Sequence, residues 1–219
     1  MVSFYGPPIA DTRKAFIEGF QKAYPGITLD YTGRRGSETA AKIQAENRAG
    51  LYIADLYGGG TTTGLLSIKP FAVPIKPYLI LPEVKDPKYW LEGHLDFADD
   101  ANEINLVYTI DVSPRLAYNS NLVDPRKMDG VSYWEFTKPE WKGKMIFTDP
   151  RTAGNGLALA TFWYVHPDLG IKYIEALAAN GVLLGRDMRL MGESVGRGKY
   201  SILIANDVPF VKELQEAGM

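Results

Sequence analysis

Up to residue 57 the chain alternates short apolar stretches with amphipathic ones, each closed by glycine or proline. No other feature of the sequence constrains the fold as strongly. Residues 2–5 predict a strand that stops at Gly6-Pro7-Pro8, and Asp11 or Thr12 suits the N-cap of a helix with Phe16, Phe20 and Ala23 on one face. Tyr24-Pro25-Gly26 ends that helix, and Ile27, Leu29 and Tyr31 alternate with polar residues as a half-buried strand does. Gly36-Ser37 opens a second helix carrying Ala40 and Ile43 and closing at Gly50; residues 51–57 predict a third strand, followed by Gly58-Gly59-Gly60-Thr61. Strand, helix, strand, helix, strand specifies an α/β chain with a parallel sheet.

Residues 66–103 are rich in proline and aromatics and give no clear period. Residues 104–112 and 115–118 read as extended segments around Ser113-Pro114. A second α/β unit follows. It has a strand at 145–148 ended by Asp149-Pro150, helices at 157–165 and 169–179, a strand at 200–205 and a last helix at 208–217.

Composition narrows the function classes. Of the 219 residues, 46% are hydrophobic, enough for a sizeable core. The net charge of −2 argues against a general polyanion binder, so no nucleic-acid partner is expected. No cysteine is present, which removes thiolate nucleophiles and cysteine-based zinc sites. No apolar run approaches the length that spans a bilayer, and the N-terminus lacks a signal-peptide pattern.

Three motifs invite chemistry. Gly192-Glu193-Ser194-Val195-Gly196 matches the letters of the G-x-S-x-G nucleophile elbow, but both histidines, His94 and His166, precede it, and a loop with Ser194 as a helix cap is the simpler reading. Gly59 to Gly64 has phosphate-loop spacing with Leu65-Leu66 where lysine and a hydroxyl are required, so a nucleotide triphosphatase is excluded. The histidines have no spaced metal-ligand partner. No catalytic residue, resident metal or cofactor is expected, and the chain reads as a non-enzyme.

A shared position is more informative. Tyr5-Gly6, Gly59-Gly60-Thr61 and Asp149-Pro150-Arg151-Thr152 sit just past predicted strands, Arg35 and Ser37 at a helix start, and Asn206-Asp207 past the last strand. In open parallel sheets ligands bind outside the carboxyl ends of strands, where helix N-termini offer free N–H groups. Tyr5, Gly6, Arg35, Ser37, Gly59, Gly60, Thr61, Asp149, Arg151, Thr152, Asn206 and Asp207 are therefore the expected ligand-binding residues. Arg151 with Arg34 or Arg35 suits a carboxylate, phosphate or sulfonate. Tyr5, Tyr57, Tyr118 and Trp163 are candidate pocket-lining aromatics.

The order of the segments carries a resemblance. Ala23-Tyr24-Pro25-Gly26-Ile27, Gly36-Ser37-Glu38, Lys42-Ile43-Gln44-Ala45-Glu46, Ala54-Asp55-Leu56, Tyr118-Asn119-Ser120-Asn121-Leu122-Val123, Lys138-Pro139-Glu140-Trp141-Lys142-Gly143-Lys144 and Asp149-Pro150-Arg151-Thr152-Ala153-Gly154 follow one another as in a known family. Together they resemble the extracellular (periplasmic) solute-binding proteins of ABC importers, in the branch of ferric-iron and polyamine binders. The resemblance implies a two-lobe α/β fold of the type II periplasmic-binding-protein class, with lobe one at 1–112, lobe two at 113–219 and a hinge near 110–118. It also implies capture of a small polar or anionic solute between the lobes, delivery to an ABC permease in the membrane, and a periplasmic or extracellular location with the signal peptide removed. Relative to that pattern the C-terminal return to lobe one is missing, so the fold is expected to be incomplete. The tyrosine pair that iron binders carry in lobe two is replaced by Ile204-Ala205-Asn206-Asp207-Val208-Pro209-Phe210, which speaks against tyrosinate iron coordination. Two other readings compete: a serine esterase using Ser194, and an intracellular ligand-sensing domain.

Overall fold

The computed structural model describes residues 1–109, 115–206 and 208–218. The chain divides into two compact units, Met1–Asp111 and Val112–Met219. Ser113 and Pro114 of the expected hinge, and the expected ligand residue Asp207, lie outside the described residues.

Unit 1 is built on a parallel three-stranded sheet. β1 (Val2–Gly6) is central, flanked by β2 (Leu29–Gly33) and β3 (Leu56–Tyr57), in the order β2-β1-β3. α1 (Ala10–Ala23) and α2 (Gly36–Arg48) supply the crossovers that parallel neighbours require. Alternation works as expected in β2, where Leu29 and Tyr31 are buried and Asp30 is exposed. α2 buries Ala40 and Ile43 against Tyr5 and Ile68. α1 buries no residue fully; its Phe16 stacks on Phe4 with ring centroids 5.4 Å apart.

The third strand is shorter than residues 51–57. In the observed register Phe4 faces Leu56, so Ile53 falls opposite Met1, with Leu51 and Tyr52 beyond it. Only Leu56 and Tyr57 pair, and Leu51, Tyr52 and Ile53 are exposed. After it, α3 (Thr61–Thr63) runs into a wider turn at Gly64–Ile68. Short 3-10 turns and α4 (Pro82–Lys85) follow, four of these pieces with proline at the first or second helical position. β4 (Asp96–Phe97) and β5 (Leu106–Val107) form an antiparallel pair. Asp99, buried at 3% exposure, closes their connection by accepting N–H bonds from Glu103, Ile104 and Asn105. Burial alone would raise its pKa, but these donors outweigh it and hold the carboxyl below its ordinary value.

Unit 2 has a four-stranded mixed sheet in the order β6-β9-β7-β8. β6 (Leu116–Tyr118) runs antiparallel to β9 (Ile202–Ile204), whereas β7 (Met145–Thr148) lies parallel to β9 and to β8 (Leu183–Gly185). α5 (Asn155–Val165) and α6 (Gly170–Ala179) follow β7, α7 (Met188–Gly196) follows β8, and α8 (Val208–Glu216) ends the unit. One face of the sheet packs on Phe136, Trp141, Leu159, Trp163, Tyr173 and Leu177, the other on Met188, Met191 and Val195. Trp163 is 1% exposed and lies among Phe147, Tyr133 and Tyr173, so it is a core residue and does not line a pocket.

Candidate functional site

In unit 1 the carboxyl ends of three parallel strands bring the expected turns to one edge. The Arg34 N–H donates to the Gly6 carbonyl (2.9 Å) and the Gly58 N–H to the Tyr5 carbonyl (2.9 Å), locking the exits of β2 and β3 to that of β1. Gly6, Arg35, Ser37, Gly59, Gly60 and Thr61 all lie along this edge. Tyr5 does not offer its side chain. The ring is 2% exposed, its hydroxyl donates to Glu46 (2.9 Å), and Glu46 is also paired with Lys42. Tyr5→Phe is expected to lower stability by about 1 kcal/mol without altering ligand binding, checked by urea unfolding and titration.

The glycines of this edge make room for neighbouring side chains. A Cβ on Gly59 would press on the Tyr57 ring (2.6 Å to Cζ), and one on Gly58 would come within 3.0 Å of the Phe4 ring. One on Gly36 would stand 2.5 Å from the Thr63 hydroxyl. Tyr57 Oη and Asn105 Nδ2 are buried with no hydrogen-bond partner among the described residues. Burial pushes the Tyr57 hydroxyl up to about 12, against a weaker downward pull from the Thr63 side chain. Glu38 accepts from the Arg35 N–H (3.3 Å), so the first turn of α2 already carries a carboxylate.

Unit 2 has a comparable edge with different electrostatics. The registers pairing Thr148 with Gly185 and Phe147 with Ile204 put Arg186, Asp149 and Asn206 in a row just beyond β8, β7 and β9. The Asp149 N–H donates to the Gly185 carbonyl (2.8 Å), which fixes one half of the row. On the other side Ala205 is fully buried and left-handed (φ 62), its N–H bound to the Arg115 carbonyl (2.6 Å) and its carbonyl to the Thr148 hydroxyl (3.0 Å). A non-glycine residue keeps that conformation only when its surroundings enforce it. The amide nitrogen of Asn206, a residue 2% exposed, has no hydrogen-bond partner among the described residues.

Asp149 is the hub. Its side chain is 2% exposed and accepts from Arg151 Nε (2.8 Å), Arg151 Nη2 (2.9 Å), the Arg151 backbone N–H (3.0 Å) and Arg186 Nε (2.8 Å). The Arg151 guanidinium and N–H, with Arg186 adding to them against the effect of burial, hold this carboxyl far below the usual carboxylate range. Thr152 donates to the Asp149 carbonyl (3.2 Å). Residues 149 and 151–152, placed here by sequence, and Asn206 are thus brought to one edge. Arg186 is new, and it shares Asp149 with Arg151. The apolar run Val182-Leu183-Leu184 ending in Gly185 was the signal for it.

Ser194 lies inside α7, where its hydroxyl donates to the Leu190 carbonyl (2.7 Å). An elbow needs the serine on a sharp strand-to-helix turn, and β8 ends at Gly185. Neither the elbow nor the helix-cap reading of this serine holds. Gly192 serves packing, since a Cβ there would meet Leu214 and Phe210 of α8 at 2.6 Å. Ser194→Ala is expected to change stability by no more than about 0.5 kcal/mol, and ester-hydrolysis assays should not distinguish it from the parent chain.

A cavity of about 540 Å³ in unit 1 is lined by Lys76, Leu79, Lys85, His94, Phe97 and Asn102, with none of the expected ligand residues. Among the described residues, no group of three or more His, Asp or Glu side chains is placed to hold a metal ion, and no helix is long and apolar enough to cross a membrane.

Solved structures of like fold are found along the whole chain. Iron-bound HitA from Pseudomonas aeruginosa matches with a TM-score of 0.57 at 19% identity, over 100% of this chain and 66% of its own. AfuA from Actinobacillus pleuropneumoniae, a periplasmic binding protein with fructose-6-phosphate bound, matches at 0.56 and 16%, over 98% and 66%. The fold is that of the type II periplasmic binding proteins. A two-component system protein that mediates signal transduction shares this fold at a TM-score of 0.67 and 14% identity, over 100% of this chain and 67% of that one. The chain thus spans about two-thirds of the length of these type II neighbours. No protein-family model and no curated protein matches it by sequence.

Proposed function

We propose that the chain is the solute-binding component of an ABC importer, taking up a small polar or anionic solute outside the cytoplasmic membrane and handing it to a permease. One observation carries this reading. Each unit gathers its glycine-, hydroxyl- and charge-bearing turns at the carboxyl edge of its sheet, where α/β folds bind ligands. Neighbours of the same fold that are periplasmic binding proteins support it. The row Arg186, Asp149, Asn206 supports an anionic solute over a neutral one.

A panel of phosphate esters, carboxylates, sugars and amines, followed by thermal shift and by the fluorescence of Trp90, Trp134, Trp141 and Trp163, tests it. A true solute at a hundred times its Kd should add about 2.7 kcal/mol, which moves the melting midpoint by about 5 to 10 °C. A panel without any shift would overturn the reading. The likeness to a two-component system protein favours one second reading, in which solute occupancy is reported to a signalling partner. A saturable solute that leaves transport unchanged but alters transcription on deletion of the gene would select it.

A further inference from the structure

We infer that Arg186, with Arg151, forms an oxyanion-binding fork at the carboxyl edge of the unit 2 sheet, and that the solute presents a phosphoryl or carboxylate group to it. This rests on the solute-binding reading and deepens it. The geometry is specific: one buried carboxylate holds two guanidinium groups, each by its Nε edge. Arg151 spends Nε and one Nη2 hydrogen on Asp149, and Arg186 only its Nε–H. Most of their N–H donors are unused among the described residues, on side chains 70% and 68% exposed.

The two guanidinium groups and the Asp149 carboxylate together carry one positive charge. A guanidinium has no acceptor, so the fork presents donors alone, in the planar arrangement that matches two oxygens of a phosphate or carboxylate. Asp149 also reduces the entropy that ordering two long side chains would cost on binding. The row continues at Asn206, whose buried amide nitrogen donates to none of the described residues. Buried amide donors are usually satisfied, and this one stands at the strand end beside the fork, where a solute oxygen would complete it. The N-terminus of α5 begins a few residues after Asp149, at a Gly154 that offers no side-chain cap.

Calorimetric titration of the chain with inorganic phosphate, glycerol phosphate, succinate and glucose decides the matter. At least one anion should saturate the wild type, with affinity falling as sodium chloride rises. Binding by the phosphate compounds alone identifies a phosphoryl source, and binding by succinate alone a carboxylate one. Arg186→Gln and Arg151→Gln should each weaken that anion about tenfold or more, and Arg186→Lys less. Melting curves of the variants within about 2 °C of wild type would show that the loss is not one of folding. Wild type that binds none of the three anions overturns the inference, as do variants that bind them unchanged. Glucose binding that survives in Arg186→Gln, with no anion bound, overturns the fork while leaving the solute-binding function in place.

Discussion

Gly156→Ala is expected to destabilise unit 2 by about 2 to 4 kcal/mol, seen as a fall of about 5 to 15 °C in its melting transition. A Cβ at position 156 would stand 2.9 Å from the carbonyl carbon of Thr148 and 3.1 Å from that of Asp149, and nearer still to the Thr148 oxygen. These are backbone atoms of a central strand and its exit turn, so no rotamer change relieves the contact. The first turn of α5 must then retreat from β7, loosening the turn that carries Asp149, Arg151 and Thr152. Solute affinity should fall with stability. Gly60→Ala is the control: Gly60 has φ −60 and ψ 137, and nothing lies within 4 Å of its added methyl. That change should be neutral, or stabilising by a few tenths of a kcal/mol through the unfolded chain. Equal effects of the two substitutions would refute this account of the α5 packing.

Asp149→Asn should lower stability by about 1 to 3 kcal/mol at neutral pH, because an amide cannot accept from two guanidinium groups as a carboxylate does. The penalty should depend on pH. The folded-state pKa of Asp149 is depressed, so its contribution is complete above the unfolded value near 4 and is lost as pH falls toward the folded one. Melting wild type and variant in parallel from pH 6.5 to 3 should therefore show the gap narrowing from about pH 5 downward. A gap constant across that range would mean that the carboxylate charge contributes nothing. Arg151 and Arg186 are exposed, so their own replacement should affect ligand binding far more than folding.

Much of this architecture is legible in sequence where local pattern and tertiary packing agree. β1, β2, α2, β7 and α5 fall where alternation, helical period and Gly or Pro stops put them. Residues 66–103 defied reading because Pro70, Pro77, Pro82 and Pro87 break the backbone into turns too short to carry a period. The expected strand at 51–57 is longer than β3 because apolar residues 51–53 look like a strand, while the pairing with β1 stops at Phe4 and Leu56 and residues 51–53 fall at or beyond the start of β1. α7 was hidden by Gly192, a poor helix former retained for its contact with α8. At the site, the turns after β1, β3 and β7 were found from residue type alone. Arg186 was not, because β8 has three residues and lies between two helices. Which glycines face solvent and which accommodate a neighbour's ring is a matter of distances in space, and Gly58 and Gly59 show that letters alone cannot separate the two.

β9 has a consequence for how the chain acquires its structure. Ile202, Leu203 and Ile204, none more than 1% exposed, bond on one side to β6 and on the other to β7. In the sheet β9 lies between β6 and β7, which are not hydrogen-bonded neighbours of each other. On a ribosome, everything from residue 116 onward must therefore wait for the codons of residues 202–204 before its sheet can close, and the loops to be closed are long. Until then the apolar faces of α5, α6 and α7 have no common floor, which makes the interval before residue 204 emerges the period when a chaperone has most to cover.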